Sequence, residues 1–241
     1  MGFEYLTNVP LAQARKEYLE RLVSGGFGSK TETIPVFESC GRVTAKAVYA
    51  HICAPHYAAS AMDGVAVSAK ETFGATETTP VTLKPDQFLM LDTGDPIPED
   101  KDAVIMVEDI VKNGDGSITI HAAAAPWQHI RQIGEDVCAG EMILPSHMTV
   151  SPAAIGAMIA GGVLEIEVIR KPVVGIIPTG DEIIPPCTDP KPGDILEFNG
   201  SIFSAMVRSW GAEAVVYPIV PDQFDQIKEM VAKAADECDM V

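Results

Sequence analysis

The chain has 241 residues, 47% of them apolar, and a formal net charge of −17. That length allows more than one domain, and that apolar content is ample for packed cores. The acidic balance and the lack of any run of Lys and Arg exclude a duplex-binding surface, which works by displacing phosphate counterions.

No apolar run reaches the ~18 residues that a membrane-spanning helix requires. Charges interrupt every apolar stretch of the opening MGFEYLTNVPLAQARKEYLERLV, so it lacks a signal-peptide pattern. The cysteines, Cys40, Cys53, Cys138, Cys187 and Cys238, include no C-x-x-C pair, and their odd number argues against a disulfide framework. A reduced, cytoplasmic setting is the expectation. The histidines show no H-x-x-x-H spacing, so no zinc site is expected.

In chain order, Leu11, Tyr18, Leu19 and Leu22 share one face of a helix over residues 10–23, ended by the glycines of SGGFGS. Ala45–Ala50 reads as helical. Residues 52–141 change character. DGVAVSA, VTLK, FLMLDTG, AVIMVEDIV and SITIHA are short β-type runs, and KNGDGS joins two of them as a hairpin does. EMILPS is a further run of this kind. Ser151-Pro152 starts a helix, with a serine cap and proline at the first helical position, and Gly161-Gly162 ends it. The pattern predicts a discontinuous helical domain, 1–51 plus 142–170, carrying a β-rich inserted domain, 52–141.

From Lys171 the order is strand (VVGII), long Pro-rich loop, a helix capped by Asn199, strand (AEAVVYPIV), a helix capped by Asp222, and the start of another strand at DMV. That is a parallel α/β unit, 171–241. Its third strand is barely begun at Val241, so the chain is expected to be a piece of a longer protein, with 171–241 its labile part. Ligands of open parallel sheets sit at the carboxyl ends of the strands. Asp181 and Glu182 follow one strand there and Asp222 follows the next. Converging carboxylates suit Mg²⁺, which is bound through oxygen and commonly bridges to phosphate. Taken singly, Asp63-Gly64 reads as a turn, Asp92-Thr93-Gly94 as a strand-ending turn, and Arg131, Glu135 and Asp136 as a salt-bridged turn.

In series, SAMDGVAV, DTGDPIPEDKDAVIMVED, IRQIGEDVCAGEMILPSH, GVLEIEVIRKPVVGIIPTGDEI and KPGDILEFNGSIFSAMVRSWGAEAVVYPIVPD resemble the molybdopterin molybdotransferase family (MoeA and the gephyrin E domain). The fold class expected is α/β multidomain: a helical frame with a β-rich insertion, then a truncated parallel α/β, molybdopterin-binding-like domain. The resemblance implies molybdenum cofactor biosynthesis: Mg²⁺-dependent insertion of molybdate into adenylylated molybdopterin, with release of AMP. It implies a homodimer whose cleft joins the α/β domain of one subunit to the β-rich domain of the other, and molybdopterin adenylyltransferase as upstream partner. By the same resemblance Asp63, Thr93, Asp136, Glu182 and Asp222 are catalytic. Thr179, Gly180 and Asp181 at the strand end, and Asn199 with the helix N-terminus that follows it, are expected to bind the pterin ligand, that helix end offering its amides to an anion or to the pterin. Asp63, Asp136 and Glu182, without cationic partners in their own motifs, are expected to hold Mg²⁺.

The resemblance also marks departures. The family continues beyond Val241 with a lysine-bearing K-P-G-K-P stretch and a further β domain, so the chain alone is expected to be inactive. Tyr57 and Ala58 stand where many relatives have an acidic or amide-containing loop, and Val65 stands where tyrosine is common. A non-catalytic molybdopterin-binding or scaffold protein is therefore the alternative. A general α/β phosphohydrolase is a weaker one, since no P-loop and no G-x-G-x-x-G follows the first strand of that unit.

Overall fold

The computed structural model describes residues 8–187 and 189–241. Helix α1, Leu11–Ser24, begins after Pro10 and ends at Gly25. Its apolar face is present as the periodicity requires, but none of its residues is buried, and Leu11 is 83% exposed. Strand β1 is Thr31–Pro35. The next strand, β2, is Val48–Tyr49, so the helix expected over Ala45–Ala50 does not form. Val48 and Tyr49, a β-branched and an aromatic residue, fit a pleated surface better than a helix.

The β-type runs become β3, Ala59–Ser60; β4, Gly64–Val67; a single helical turn α2, Ala69–Thr72; β5, Val81–Leu83; β6, Phe88–Leu91; and β7, Ala103–Met106. They continue with β8, Ile110–Lys112, β9, Ile118–Ile120, and β10, Ile130–Arg131. β4 lies between β6 and β7, antiparallel to both, and β9 lies between β5 and β8. The β8–β9 hairpin turns where KNGDGS predicts it: Asp115 accepts from the Ser117 N–H and hydroxyl, and Gly116 takes a left-handed φ of 86°. One hydrophobic cluster lies within these elements, with Val65, Val67, Leu83 and Ile120 among its members.

β11, Met142–Leu144, pairs with β2. Helix α3, Pro152–Ala160, has the expected cap, Ser151 Oγ accepting from the Ala154 N–H at 3.2 Å. It stops at Gly161. β12, Glu165–Ile169, pairs with β1. A second cluster, with Val36, Val48, Val150, Met158 and Val168, belongs to these flanking segments.

The remaining elements are β13, Val173–Ile176; β14, Ile183–Ile184; β15, Ile195–Leu196; α4, Asn199–Ser209; β16, Glu213–Val216; and α5, Phe224–Glu237. β13 and β16 run parallel, and Val174 makes a parallel bridge to Met240, where the third strand was expected to begin. The Pro-rich loop is more ordered than its sequence implies, since β14 and β15 form a parallel pair inside it. Two caps differ from expectation. Asn199 is the first helical residue of α4 rather than its cap, and Gln223, not Asp222, precedes α5. Neither boundary residue makes a side-chain capping bond.

The chain forms two compact units. One is Thr33–Val168, which contains both hydrophobic clusters; the other joins Ile169–Val241 to the described N-terminal residues up to Glu32, so α1 groups with the C-terminal segment.

Candidate functional site

Within Thr33–Val168, three separate motifs meet on the short strand β3. Its residues pair with β10, Ser60 with Ile130 and Ala59 with Arg131. On the other side Ala59 bridges to Pro96, the Ser60 N–H donates to the Asp95 carbonyl at 2.9 Å, and the Gly94 N–H donates to the Ser60 carbonyl at 2.9 Å. SAMDG, DTGDP and IRQIGED are thereby fixed to one another by backbone bonds.

Asp63 and Thr93 are brought together. The Thr93 N–H and its hydroxyl both donate to Asp63 Oδ1, each at 2.7 Å. The hydroxyl first, and then the amide, hold the Asp63 carboxyl below its ordinary pKa, because both favour the charged form. The Tyr57 hydroxyl donates to the Gly94 carbonyl at 3.0 Å, so one of the departing residues props the turn that carries Thr93.

Gly64 is not the turn glycine its dipeptide implies. It is the first residue of β4, facing Met106 and Leu91 on its two neighbours. A Cβ there would lie 2.0 Å from the Ile105 carbonyl oxygen. Glycine follows Asp63 because a neighbouring strand comes that close.

Asp136 does have a cationic partner within its own motif. Arg131, in the same motif, donates through Nη2 to both Asp136 carboxylate oxygens, at 2.7 and 2.6 Å. The Asp136 carboxylate in turn raises the guanidinium's pKa. The salt-bridged turn is the form this motif takes, and Asp136 has the cationic partner that its metal role assumed it lacked. Among the described residues no three His, Cys, Asp or Glu side chains gather into a group able to hold a metal. Asp63 and Asp136 lie in one unit and Glu182 in the other.

The second constellation lies at the carboxyl ends of β13 and β16. Past these strands the parallel pairing resumes: Thr179 bridges Val220, the Val220 N–H donates to the Pro178 carbonyl at 2.9 Å, and the Gly180 N–H donates to the Val220 carbonyl at 3.1 Å. The Asp222 N–H then donates to Asp181 Oδ1 at 3.1 Å, so Asp181 and Asp222 stand side by side as the topology predicts. Gly180 has φ of 144°, and a Cβ on it would meet Ile183 at 2.7 Å and both Glu182 carboxylate oxygens at 3.1 Å.

Two neighbouring cavities open there, of about 630 and 280 Å³. Gly180 and Asp181 line the larger, Thr179 and Asn199 the smaller, while Glu182 and Asp222 line neither. Glu197, which the sequence reading did not single out, lines both. It also occupies the N-terminus of α4: Glu197 Oε1 accepts the Gly200 N–H at 2.6 Å. The helix end expected to offer its amides to a ligand anion thus already holds one of the protein's own. An acidic side chain just ahead of a helix is the available sequence signal. Among the described residues no Lys, Arg or His lines either cavity.

The fold is that of a β-rich unit followed by a parallel α/β unit with a ligand-sized recess at its strand ends, the class of protein to which comparison adds a family. Residues 9–162 match the model described as the MoeA N-terminal region (domain I and II), and residues 175–241 match a probable molybdopterin binding domain. The chain belongs to the MoeA family. It is 34% identical to molybdopterin molybdenumtransferase 2 of Mycobacterium tuberculosis, over 87% of this chain and 55% of that protein. It is 29% identical to a putative molybdopterin biosynthesis protein of Methanocaldococcus jannaschii, over 96% of this chain and 62% of that one. Of solved structures, a molybdopterin biosynthesis MoeA protein of Pyrococcus horikoshii superposes with a TM-score of 0.77 at 32% identity, over 93% of this chain and 64% of that chain. The chain thus spans less than two thirds of the length of these relatives.

Proposed function

We propose that the protein acts in molybdenum cofactor biosynthesis, binding adenylylated molybdopterin and inserting molybdate with release of AMP. The observation that carries this is the recess at the ends of β13 and β16, lying in the segment that matches the molybdopterin-binding model. Two carboxylates, Asp181 and Glu197, and no cation line the larger cavity. Such a lining accepts hydrogen bonds from the amino and ring N–H groups of a pterin and repels a phosphate anhydride. The pterin is therefore assigned to this recess, with Thr179 and Asn199 adding polar contacts in the smaller one. Asp63 and Thr93 serve the reacting end of the substrate, Asp63 staying ionised into acid solution.

Among the described residues no three His, Cys, Asp or Glu side chains gather into a metal site, and a Mg²⁺ dependence rests on the family resemblance. That requirement is a feature to be tested, with Asp63 and Glu182 as the proposed ligands. The proposed assembly is a homodimer, supplied by a molybdopterin adenylyltransferase; the exposed apolar face of α1 supports self-association. Sedimentation of the intact protein at micromolar concentration checks this, and a strict monomer removes the shared-cleft idea.

The intact protein is assayed with adenylylated molybdopterin and molybdate, with and without Mg²⁺, following AMP and pterin-bound molybdenum. Substituting Glu182→Gln should lower the rate by ~10²-fold, the usual loss on removing one electrostatic stabiliser. Wild-type speed in that variant would refute the role of Glu182. The alternative, a binding or scaffold protein, draws support from Asp136 being neutralised by Arg131. Tight pterin binding without AMP release would favour it over the enzyme.

A further inference from the structure

We propose that Cys53 and Cys138 are a paired dithiol which a low-molecular-weight disulfide of the glutathione class oxidises to an internal disulfide, fastening the turn that carries Asp136. The register supports this. Ala54 and Val137 form an antiparallel bridge and exchange both backbone bonds: the Ala54 N–H donates to the Val137 carbonyl at 2.8 Å, and the Val137 N–H to the Ala54 carbonyl at 3.2 Å. The next facing pair in that register is Cys53 and Cys138, at a non-hydrogen-bonded position. There Cα atoms approach to ~4.5 Å and side chains share a face. Disulfides span Cα separations of ~4.4–6.8 Å.

The side chains give a second, independent observation. A Cβ on Gly134 would lie 2.8 Å from Cys138 Sγ and 3.6 Å from Cys53 Sγ, so both sulphurs converge over one bare glycine. Gly134 also has a left-handed φ of 74°. The Ala139 N–H donates to Cys53 Sγ at 3.3 Å, and the Cys138 S–H donates to the Gly134 carbonyl at 3.4 Å, holding the two over that point. Cys138 is exposed and Cys53 is half-buried.

The chemistry follows from that difference in access. The exposed Cys138, as thiolate, attacks one sulphur of the reagent, forming a mixed disulfide and releasing one thiol equivalent. Cys53, as thiolate, then attacks Cys138 Sγ, forming the internal S–S bond and releasing the second thiol. Two protein thiols lose two electrons and two protons, and the reagent disulfide gains them. In the reduced protein the turn is tied to the 54–55 segment by backbone bonds, the Gly134 N–H to the Pro55 carbonyl and the Asp136 N–H to the Ala54 carbonyl, each 2.9 Å. The disulfide adds a covalent tie two residues beyond Asp136.

The test is a titration of the native, reduced protein in glutathione buffers of rising disulfide fraction, read by thiol counting and by mass spectrometry of a non-reducing tryptic digest. The Cys53 and Cys138 thiols should be lost together in one step, their two peptides should be joined, and no glutathione should remain on either, whatever the exposed Cys40 and Cys187 take up. Cleavage after Arg131 should slow in the oxidised form. Cys53→Ser and Cys138→Ser should each instead retain one glutathione on the remaining member of the pair. Independent glutathionylation of the two wild-type cysteines, linkage of other cysteines, or no reaction across the series would each overturn the proposal. The wild-type titration decides it even if a variant fails to fold.

Discussion

At the scale of single residues, Asp63 shows how an exposed carboxylate is tuned without a cation. Both of its hydrogen bonds come from Thr93, one from the hydroxyl and one from the amide. Thr93→Val keeps the size and the amide but removes the hydroxyl. The Asp63 pKa should then rise part of the way to the ordinary aspartate value near ~3.9, because the larger of the two stabilising bonds is gone. Carboxyl carbon NMR of Asp63 through an acid titration measures this. An unchanged midpoint would show that the hydroxyl does not bond the carboxylate in solution. At neutral pH both proteins carry the charge, so the difference is confined to acid solution.

At the scale of elements, the sheet of β6, β4 and β7 depends on the missing side chain of Gly64. A Cβ at 2.0 Å from the Ile105 oxygen cannot be relieved by moving a flexible side chain, since the obstacle is backbone. Gly64→Ala must push β7 away from the central strand or break the Gly64–Met106 register. Overpacking of this kind costs ~1–3 kcal/mol or more, which should appear as a lower urea midpoint. A midpoint equal to wild type would mean that the strands do not approach this closely. Gly200 plays a similar part between α4 and β16, where a Cβ would lie 3.1 Å from Val216 Cγ1 and 3.0 Å from Glu197 Oε2.

At the scale of the whole molecule, Asp239 gathers the ends of the C-terminal unit. Lys30 Nζ donates to its Oδ1 at 2.8 Å, the Val173 N–H to its Oδ2 at 2.9 Å, and the Arg170 guanidinium to the same Oδ2. Lys30 first, then the Val173 amide and Arg170, hold this carboxyl far below the usual carboxylate range. A pKa depressed by folding contributes stability that is full above the unfolded value of ~3.9 and is lost as pH falls through that value toward the lower, folded one. Asp239→Asn should therefore lower stability at pH 7 by ~1.5–3 kcal/mol, the range for hydrogen bonds to charged groups. The gap between variant and wild type should narrow as pH falls below ~4. Urea unfolding across pH gives the comparison. A gap independent of pH would show that charge is not what holds these segments.

The sequence by itself determined the family and those local elements whose signals lie within a few adjacent residues. Ser151-Pro152 and Gly161 mark the bounds of α3 because caps act within one turn, and KNGDGS marks its hairpin because a tight turn is a property of adjacent residues. Five motifs in order are legible as a resemblance without any contact being known. The parallel pair β13–β16 and the neighbouring Asp181 and Asp222 were also readable, since strand–helix–strand order brings successive strand ends to one edge. Tertiary structure alone decided the rest. Asp63 meets Thr93, Gly64 meets Ile105 and Cys53 meets Cys138 across distant segments, and those meetings depend on register. A slip of one residue turns every side chain of a strand to the opposite face, so no local pattern can specify them. Asp136 stands between the two groups. The sequence offered both a salt-bridged turn with Arg131 and a metal-holding role, and the folded turn, tied to Ala54 and Pro55, shows the ion pair.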